Sequence, residues 1–284
     1  MERQKRVLAV HDISGVGKCS LTVALPIISA AGVECSVLPT AVLSTHTGGF
    51  MNYTFRDLTA DLLPMAKHWA GLGVRFDAIY TGYLGSFAQI ELMKQIFPLL
   101  AAKDTLIVVD PVMGDDGRLY AAFDMTFPPA MAGLAASADV LLPNFTEAAL
   151  MLGEEYKPGP YAPEEVDGLL QRLAEKTKTR RIVLTGVYFD ERRLGAATFD
   201  RETGETEHIL GAHVPGSFHG TGDVFGSALV GALVRGLSLS AATRAAVDFT
   251  AAAIRRTAEA GTDIRYGVNF EAELSGYIRS LGIG

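Results

Sequence analysis

Short apolar runs recur along the chain, each closing on a polar residue or glycine, with room for a helix between successive runs. Residues 7–10 end at His11-Asp12-Ile13-Ser14-Gly15. A helix from about 20 to 31 stops at Gly32, and residues 33–40 read as a second strand. Residues 77–81 and 105–109 are further strands around a helix over 90–100, and 140–142 and 182–184 complete the set. This rhythm predicts an α/β fold: a three-layer sandwich with a mostly parallel central sheet and helices on both faces. Residues 194–214 alternate polar and apolar and turn at Arg201-Glu202-Thr203-Gly204, which predicts an antiparallel hairpin. Gly220-Thr221-Gly222-Asp223 then opens a helix of about four turns that Gly236 closes. From Ser240 the tail reads as helical. Residues 157–163, rich in Pro and Gly, read as a loop, so 1–284 is expected to be a single domain.

Composition narrows the functional classes. With 49% hydrophobic and 20% charged residues, the chain can bury a large core, which excludes disorder over most of its length. No stretch approaches the roughly 20 apolar residues of a membrane span. The charged first six residues precede only four apolar ones, fewer than a signal peptide needs. The expected location is cytoplasmic, with Cys19 and Cys35 reduced; no Cys-x-x-Cys spacing suggests zinc. A net charge of -7 argues against a large basic nucleic-acid surface.

In open α/β sheets, polar groups at the carboxyl ends of parallel strands face one crevice. Asp12, Gly82, Asp110, Asn144 and Thr185 stand at such ends. In Gly220-Thr221-Gly222-Asp223, glycines allow close backbone approach. The first helical turn leaves N–H donors free and favours negative charge. Asp223 either takes a proton from an attacking hydroxyl, as phosphoryl transfer requires, or only complements the helix dipole. Asp110-Pro111-Val112-Met113-Gly114-Asp115-Asp116-Gly117 offers hard oxygen ligands suited to magnesium, or simply a turn. Asn144-Phe145-Thr146-Glu147 resembles a capping box, and the same pair could serve phosphate and metal-bound water. Ser44-Thr45-His46-Thr47-Gly48-Gly49-Phe50 either lines a small-molecule pocket or is only a turn, with His46 structural. Tyr83 either stacks on a flat ligand or packs.

Gly15-Val16-Gly17-Lys18-Cys19-Ser20 imitates a nucleotide P-loop. That pattern needs Gly where this chain has Asp12, and Ser or Thr where it has Cys19.

Taken in order, the segments at 44–48, 110–115, 143–147 and 220–223 resemble the ribokinase-like superfamily and, within it, the pyridoxal kinases, over nearly the whole chain. The segment at 44–48 points to the pyridoxal kinases. The resemblance implies ATP-dependent phosphorylation of the 5′-hydroxymethyl group of pyridoxal, pyridoxine or pyridoxamine, the chemistry of vitamin B6 salvage. Asp223 would be the base, and the N–H groups of Gly220, Thr221 and Gly222 the anion hole. Asp110, Asn144 and Glu147 would surround the ATP phosphates and magnesium, with Asp115 a further metal-side carboxylate. Thr185 and Gly186 would contact phosphate or nucleotide, and Asp12, Thr47 and Tyr83 would hold the pyridine ring. Similar enzymes are usually homodimers, and many use potassium; the partners implied are small molecules, not nucleic acid or membrane. Many pyridoxal kinases have Gln-Ser or Gly-Ser-Asp where this chain has Val10-His11-Asp12, and His219 has no assigned role. The rival readings are a hydroxymethylpyrimidine or hydroxymethylpyrimidine phosphate kinase of the same fold, and a non-catalytic vitamer-binding protein. A sugar kinase would carry Gly-Gly and Asn-Asp features near the N-terminus, which are missing here.

Overall fold

Strand β1 (Arg6–Val16) sends Val7 and Ala9 into one apolar cluster and Leu8 and Val10 into another. A strand buried on both faces belongs inside a sheet covered on both sides. The computed structural model, which describes residues 3–283, has that arrangement. After β1 come α1 (Leu21–Ala30), β2 (Glu34–Thr45), β3 (Phe55–Asp57), α2 (Thr59–Gly71), β4 (Ala78–Thr81), α3 (Phe87–Leu100) and β5 (Leu106–Val109). A separate ribbon, β6 (Gly114–Asp115) and β7 (Arg118–Leu119), precedes α4 (Phe127–Ala135), β8 (Val140–Leu141), α5 (Phe145–Leu152) and α6 (Pro163–Thr177). The chain continues through β9 (Arg181–Asp190), β10 (Arg193–Asp200), β11 (Glu205–Ala212), α7 (Thr221–Arg235), α8 (Leu239–Ala260) and α9 (Leu274–Ser280).

The main sheet runs β11-β10-β9-β8-β5-β4-β1-β2-β3. Every pairing from β9 across to β2 is parallel, while β10, β11 and β3 are antiparallel. Helices α2 to α6 pack one core, with Leu62, Met93, Met131, Met151 and Leu170 in it; α1, α7, α8 and α9 pack the other around Ile28, Leu229, Ala246 and Tyr277. Among the described residues, no helix is long and apolar enough to cross a membrane.

Three features depart from the sequence-based expectation. First, β1 and β2 continue past the other strands. Beyond His11, β1 pairs with β2 through Ile13↔Val42, Ser14↔Leu43 and Val16↔Thr45, after a register shift between His11 and Ile13, and Ile13 also bridges Ser20. Polar residues there mark a bulge, which re-aims side chains, and not the end of a strand. Second, β9 likewise passes through Thr185 and Gly186 into the β9–β10 hairpin, although its pairing with β8 ends at Ile182. Third, the tail is not continuously helical, because Gly261 (φ 62°) ends α8 and two 3-10 turns, Ile264–Tyr266 and Glu271–Glu273, precede α9. The helices α2 and α4 are poorly announced in sequence: α2 contains Pro64, neither has a side-chain cap, and α4 begins Phe-Pro-Pro.

Candidate active site

A cleft of about 960 Å³ opens at the carboxyl ends of the parallel strands. Asp12, Thr47 and Tyr83 line it. Asp110, Asp115, Asn144, Glu147, Thr185, Gly186 and residues 220–223 line it as well. Of the strand-end residues singled out in sequence, Asp12, Asp110, Asn144 and Thr185 line the cleft, whereas Gly82 does not and packs against His11 instead.

Residues 220–223 are the amino end of α7. Gly220 has φ 75°, and a Cβ there would stand 2.0 Å from the Lys18 carbonyl oxygen, so only glycine fits. Gly222 faces open space. The first intrahelical bond runs from Val224 N–H to the Gly220 carbonyl at 3.0 Å. The amides of Thr221, Gly222 and Asp223 are therefore left at the helix start without an intrahelical acceptor, an arrangement that attracts an anion.

Asp223 lies in that first turn. The Ser20 N–H donates to its Oδ2 at 2.9 Å. Ser20 also donates its hydroxyl to Asp12 Oδ1 at 2.6 Å, and Ser14 donates to Asp12 Oδ2 at 3.0 Å. Ser20 does this from φ 57°, a left-handed conformation that a residue with a Cβ seldom adopts. Burial pushes the Asp223 carboxyl up to about 7; the Ser20 amide opposes the shift and the Asp12 charge adds to it. Burial also raises Asp12, against the two serine hydroxyls. A carboxyl near neutrality, beside an anion-binding turn, suits a general base.

The capping-box reading of the 144–147 segment holds, and Asn144 and Glu147 also line the cleft. Asn144 Oδ1 accepts the Glu147 N–H at 2.9 Å, and Glu147 Oε2 accepts the Asn144 N–H at 2.9 Å, a complete capping box. The same pair ties down the strand-end loop: the Met113 N–H donates to Glu147 Oε1 at 3.1 Å, and Asn144 Nδ2 donates to the Gly114 carbonyl at 2.9 Å. Asp116 (φ 48°) and Gly117 (φ 75°) make the hairpin turn between β6 and β7, so turn chemistry explains them. Asp110 and Asp115, on either side, line the cleft. Burial raises Asp110, and the neighbouring Glu147 and Asp223 charges raise it further; burial raises Glu147 too. Crowded carboxyls held above their ordinary range are a hard-oxygen set that a divalent cation would relieve. Among the described residues, no three His, Cys, Asp or Glu side chains group closely enough to hold a metal alone. The residues fit magnesium bound through one or two carboxylates and substrate phosphates.

His46 lines the cleft and holds its own loop in place. Its Nδ1 accepts the Gly48 N–H at 3.0 Å, so Nε2 carries the proton and donates to the Arg265 carbonyl at 2.5 Å. That fixes the loop presenting Thr47. Tyr83 packs against Phe123, with centroids 5.6 Å apart, and also faces the cleft. His219 leans on His46 and lines the cleft. Lys18 is held by Asn269 and Glu271 at 3.1 and 2.9 Å and is not part of the cleft, so the apparent P-loop is a turn. Ser20, Phe218 and Tyr120 line the cleft without a sequence signal that singles them out.

The phosphomethylpyrimidine kinase family model matches residues 25–267. A pyridoxine/pyridoxal/pyridoxamine kinase of Bordetella bronchiseptica is 31% identical over 279 residues, covering 90% of each chain. The crystal structure of a Bacteroides thetaiotaomicron protein solved with pyridoxal superposes with a TM-score of 0.90 at 38% identity, over 99% of this chain and 96% of that one. The pyridoxal kinase of Lactobacillus plantarum superposes with a TM-score of 0.88 at 33% identity, over 98% of each chain.

Proposed function

The chain belongs to the phosphomethylpyrimidine kinase family, has a ribokinase-like fold and is a kinase; from that premise we propose that it phosphorylates the 5′-hydroxymethyl group of B6 vitamers with ATP as co-substrate. The observation that carries the reading is the joint placement of Asp223 and the free amides at the start of α7. Asp223 takes the proton of the vitamer hydroxyl as the oxygen attacks the γ-phosphorus and ADP leaves. The amides of Gly220, Thr221 and Gly222 hold the oxygens of the transferring group. Asp12, Thr47 and Tyr83 hold the ring. Asp110 and Asn144 stand toward the ATP phosphates, and Thr185 and Gly186 toward the nucleotide. Asp115 and Glu147 would hold magnesium, which when bound neutralises charge on the phosphates. Potassium is a candidate second ion. A homodimeric, cytoplasmic enzyme with one kinase domain completes the reading.

The family description favours one rival, phosphorylation of a hydroxymethylpyrimidine or its phosphate on the same base and anion hole. A coupled assay of ADP release with pyridoxal, pyridoxine, pyridoxamine and hydroxymethylpyrimidine side by side separates the two. Higher kcat/KM for a vitamer supports the proposal, and higher kcat/KM for the pyrimidine alcohol overturns it. Vitamer binding without ADP release would make the protein a binder.

A further inference from the structure

Behind Asp223, beneath the first turn of α7, the sheet buries an imidazole completely. His11 lies on β1 beside the register shift at Asp12 and is 0% exposed. Its ring stands edge-on to Tyr80, with centroids 4.5 Å apart. Gly82 makes the room: a Cβ there would lie 2.1 Å from His11 Nδ1. Neither ring nitrogen has a hydrogen-bond partner among the described residues, and Nδ1 is 3.8 Å from Asp223 Oδ1.

A neutral imidazole carries one N–H donor, and leaving a buried donor unpaired is costly. Asp223 Oδ1 is the carboxylate oxygen facing His11 Nδ1. Catalytic hydrogen bonds are often long before substrate binds and shorten in the working complex. Burial drives His11 down to about 3, so the ring stays neutral and does not compete for the proton that Asp223 receives. The other titratable groups facing Asp223 are Asp12, Cys19, Tyr80, Asp110 and Tyr120. The Asp12 charge opposes ionisation of Asp223, the Asp223 charge helps to raise Asp110, and burial keeps Cys19, Tyr80 and Tyr120 protonated. Among the described residues, the Ser20 amide is the one donor already bonded to Asp223.

We propose that His11 is a positioning residue for Asp223: its Nδ1–H closes on Oδ1 when the carboxyl is ionised, while the Ser20 amide holds Oδ2. The two donors fix the plane of the carboxylate and favour its charged form, leaving the remaining lone pairs for the substrate proton. This inference rests on Asp223 being the base.

The test is the pH profile of kcat/KM for pyridoxal in the wild type, His11→Leu, His11→Gln and Asp223→Asn, together with ¹⁵N NMR of the His11 ring in the wild type. His11→Leu should move the acidic limb up by about one pH unit, roughly a tenfold loss below the limb with little loss well above it. His11→Gln, which keeps a donor, should hold the limb close to that of the wild type. The wild-type ring should be a neutral Nδ1–H tautomer above the limb, a reading that does not depend on either His11 variant folding. An unmoved limb in His11→Leu, equal loss in both His11 variants, or an Nε2–H tautomer would each overturn the proposal. If Asp223→Asn is inactive while His11→Leu keeps its limb, the role of His11 fails alone. If Asp223→Asn is as active as the wild type, the base assignment fails and takes the proposal with it.

Discussion

The backbone amide of Ser20 donates to Asp223 Oδ2 at 2.9 Å from a left-handed conformation, φ 57°. The same residue's hydroxyl holds Asp12. One strained residue thus joins the ring-side carboxyl to the carboxyl read as the base, and strain of this kind collects at functional sites.

Ser20→Ala and Ser20→Gly both keep the amide and lose the hydroxyl. Each is expected to raise KM for the vitamer about tenfold, the loss of one hydrogen bond to a charged group, with a smaller effect on kcat. Glycine tolerates positive φ, so Ser20→Gly should melt above Ser20→Ala. Steady-state kinetics and thermal melts of the pair check this; unchanged KM in both would sever the link between Ser20 and ring binding.

The two glycines at the start of α7 should fail differently. Gly222→Ala puts a methyl into the open cleft where the phosphoryl group would sit. It should cut kcat about 10²-fold, as loss of an anion-hole donor does, and shift Tm by less than about 2 °C. Gly220→Ala meets the Lys18 carbonyl at 2.0 Å from φ 75° and should lower Tm by at least about 4 °C. Comparable melts for the two variants would contradict this assignment.

Much of this was legible in the residues, and the physical reason is local. The Gly220–Asp223 turn, the Asn144–Glu147 box and the polar residues after β4, β5 and β8 each follow from short-range chemistry: caps, turns and strand ends. The mostly parallel sheet follows from strand-length apolar runs spaced for crossover helices. The extension of β1 to Val16 and β2 to Thr45 was not legible, because a bulge and a polar strand pair look like the end of a strand. Ser20 and His11 were not legible as neighbours of Asp223, because they reach it only when α7 packs over β1 and α1, about 200 residues later in the chain.

The structural role of Asn144 and the proposed magnesium role of Asp115 should separate by substitution. Asn144→Ala removes the cap of α5 and the bond to Gly114 and should destabilise the fold by about 1 kcal/mol or more. Asp115 is exposed, and its Oδ1 accepts the Asp116 amide at 3.0 Å, a bond that an Asn oxygen would also accept. Asp115→Asn should leave Tm unchanged and raise the magnesium concentration for half-maximal rate on the order of tenfold. A magnesium titration and melts of both variants test this, and an unmoved midpoint in Asp115→Asn would remove it from the metal side.

Burial of the Asp223 carboxyl also has a stability consequence. Its folded pKa, about 7, lies above the ordinary carboxylate range, so between the two values the folded state binds the extra proton. Stability from this group is therefore lost as pH rises through that window. Asp223→Asn removes the effect, so its Tm relative to the wild type should be higher at pH 8 than at pH 5, by at least about 2 °C. Melts of both proteins at the two pH values decide it; the same difference at both would show that the carboxyl is not held up.

The most direct measurement is single-turnover formation of pyridoxal 5′-phosphate from ATP and pyridoxal by the wild type and Asp223→Asn at pH 8, with ATP affinity measured in parallel. The predicted result is product from the wild type and a rate lower by at least about 10²-fold in Asp223→Asn, with ATP affinity retained. A wild-type rate in Asp223→Asn, or no product from the wild type, would contradict the account.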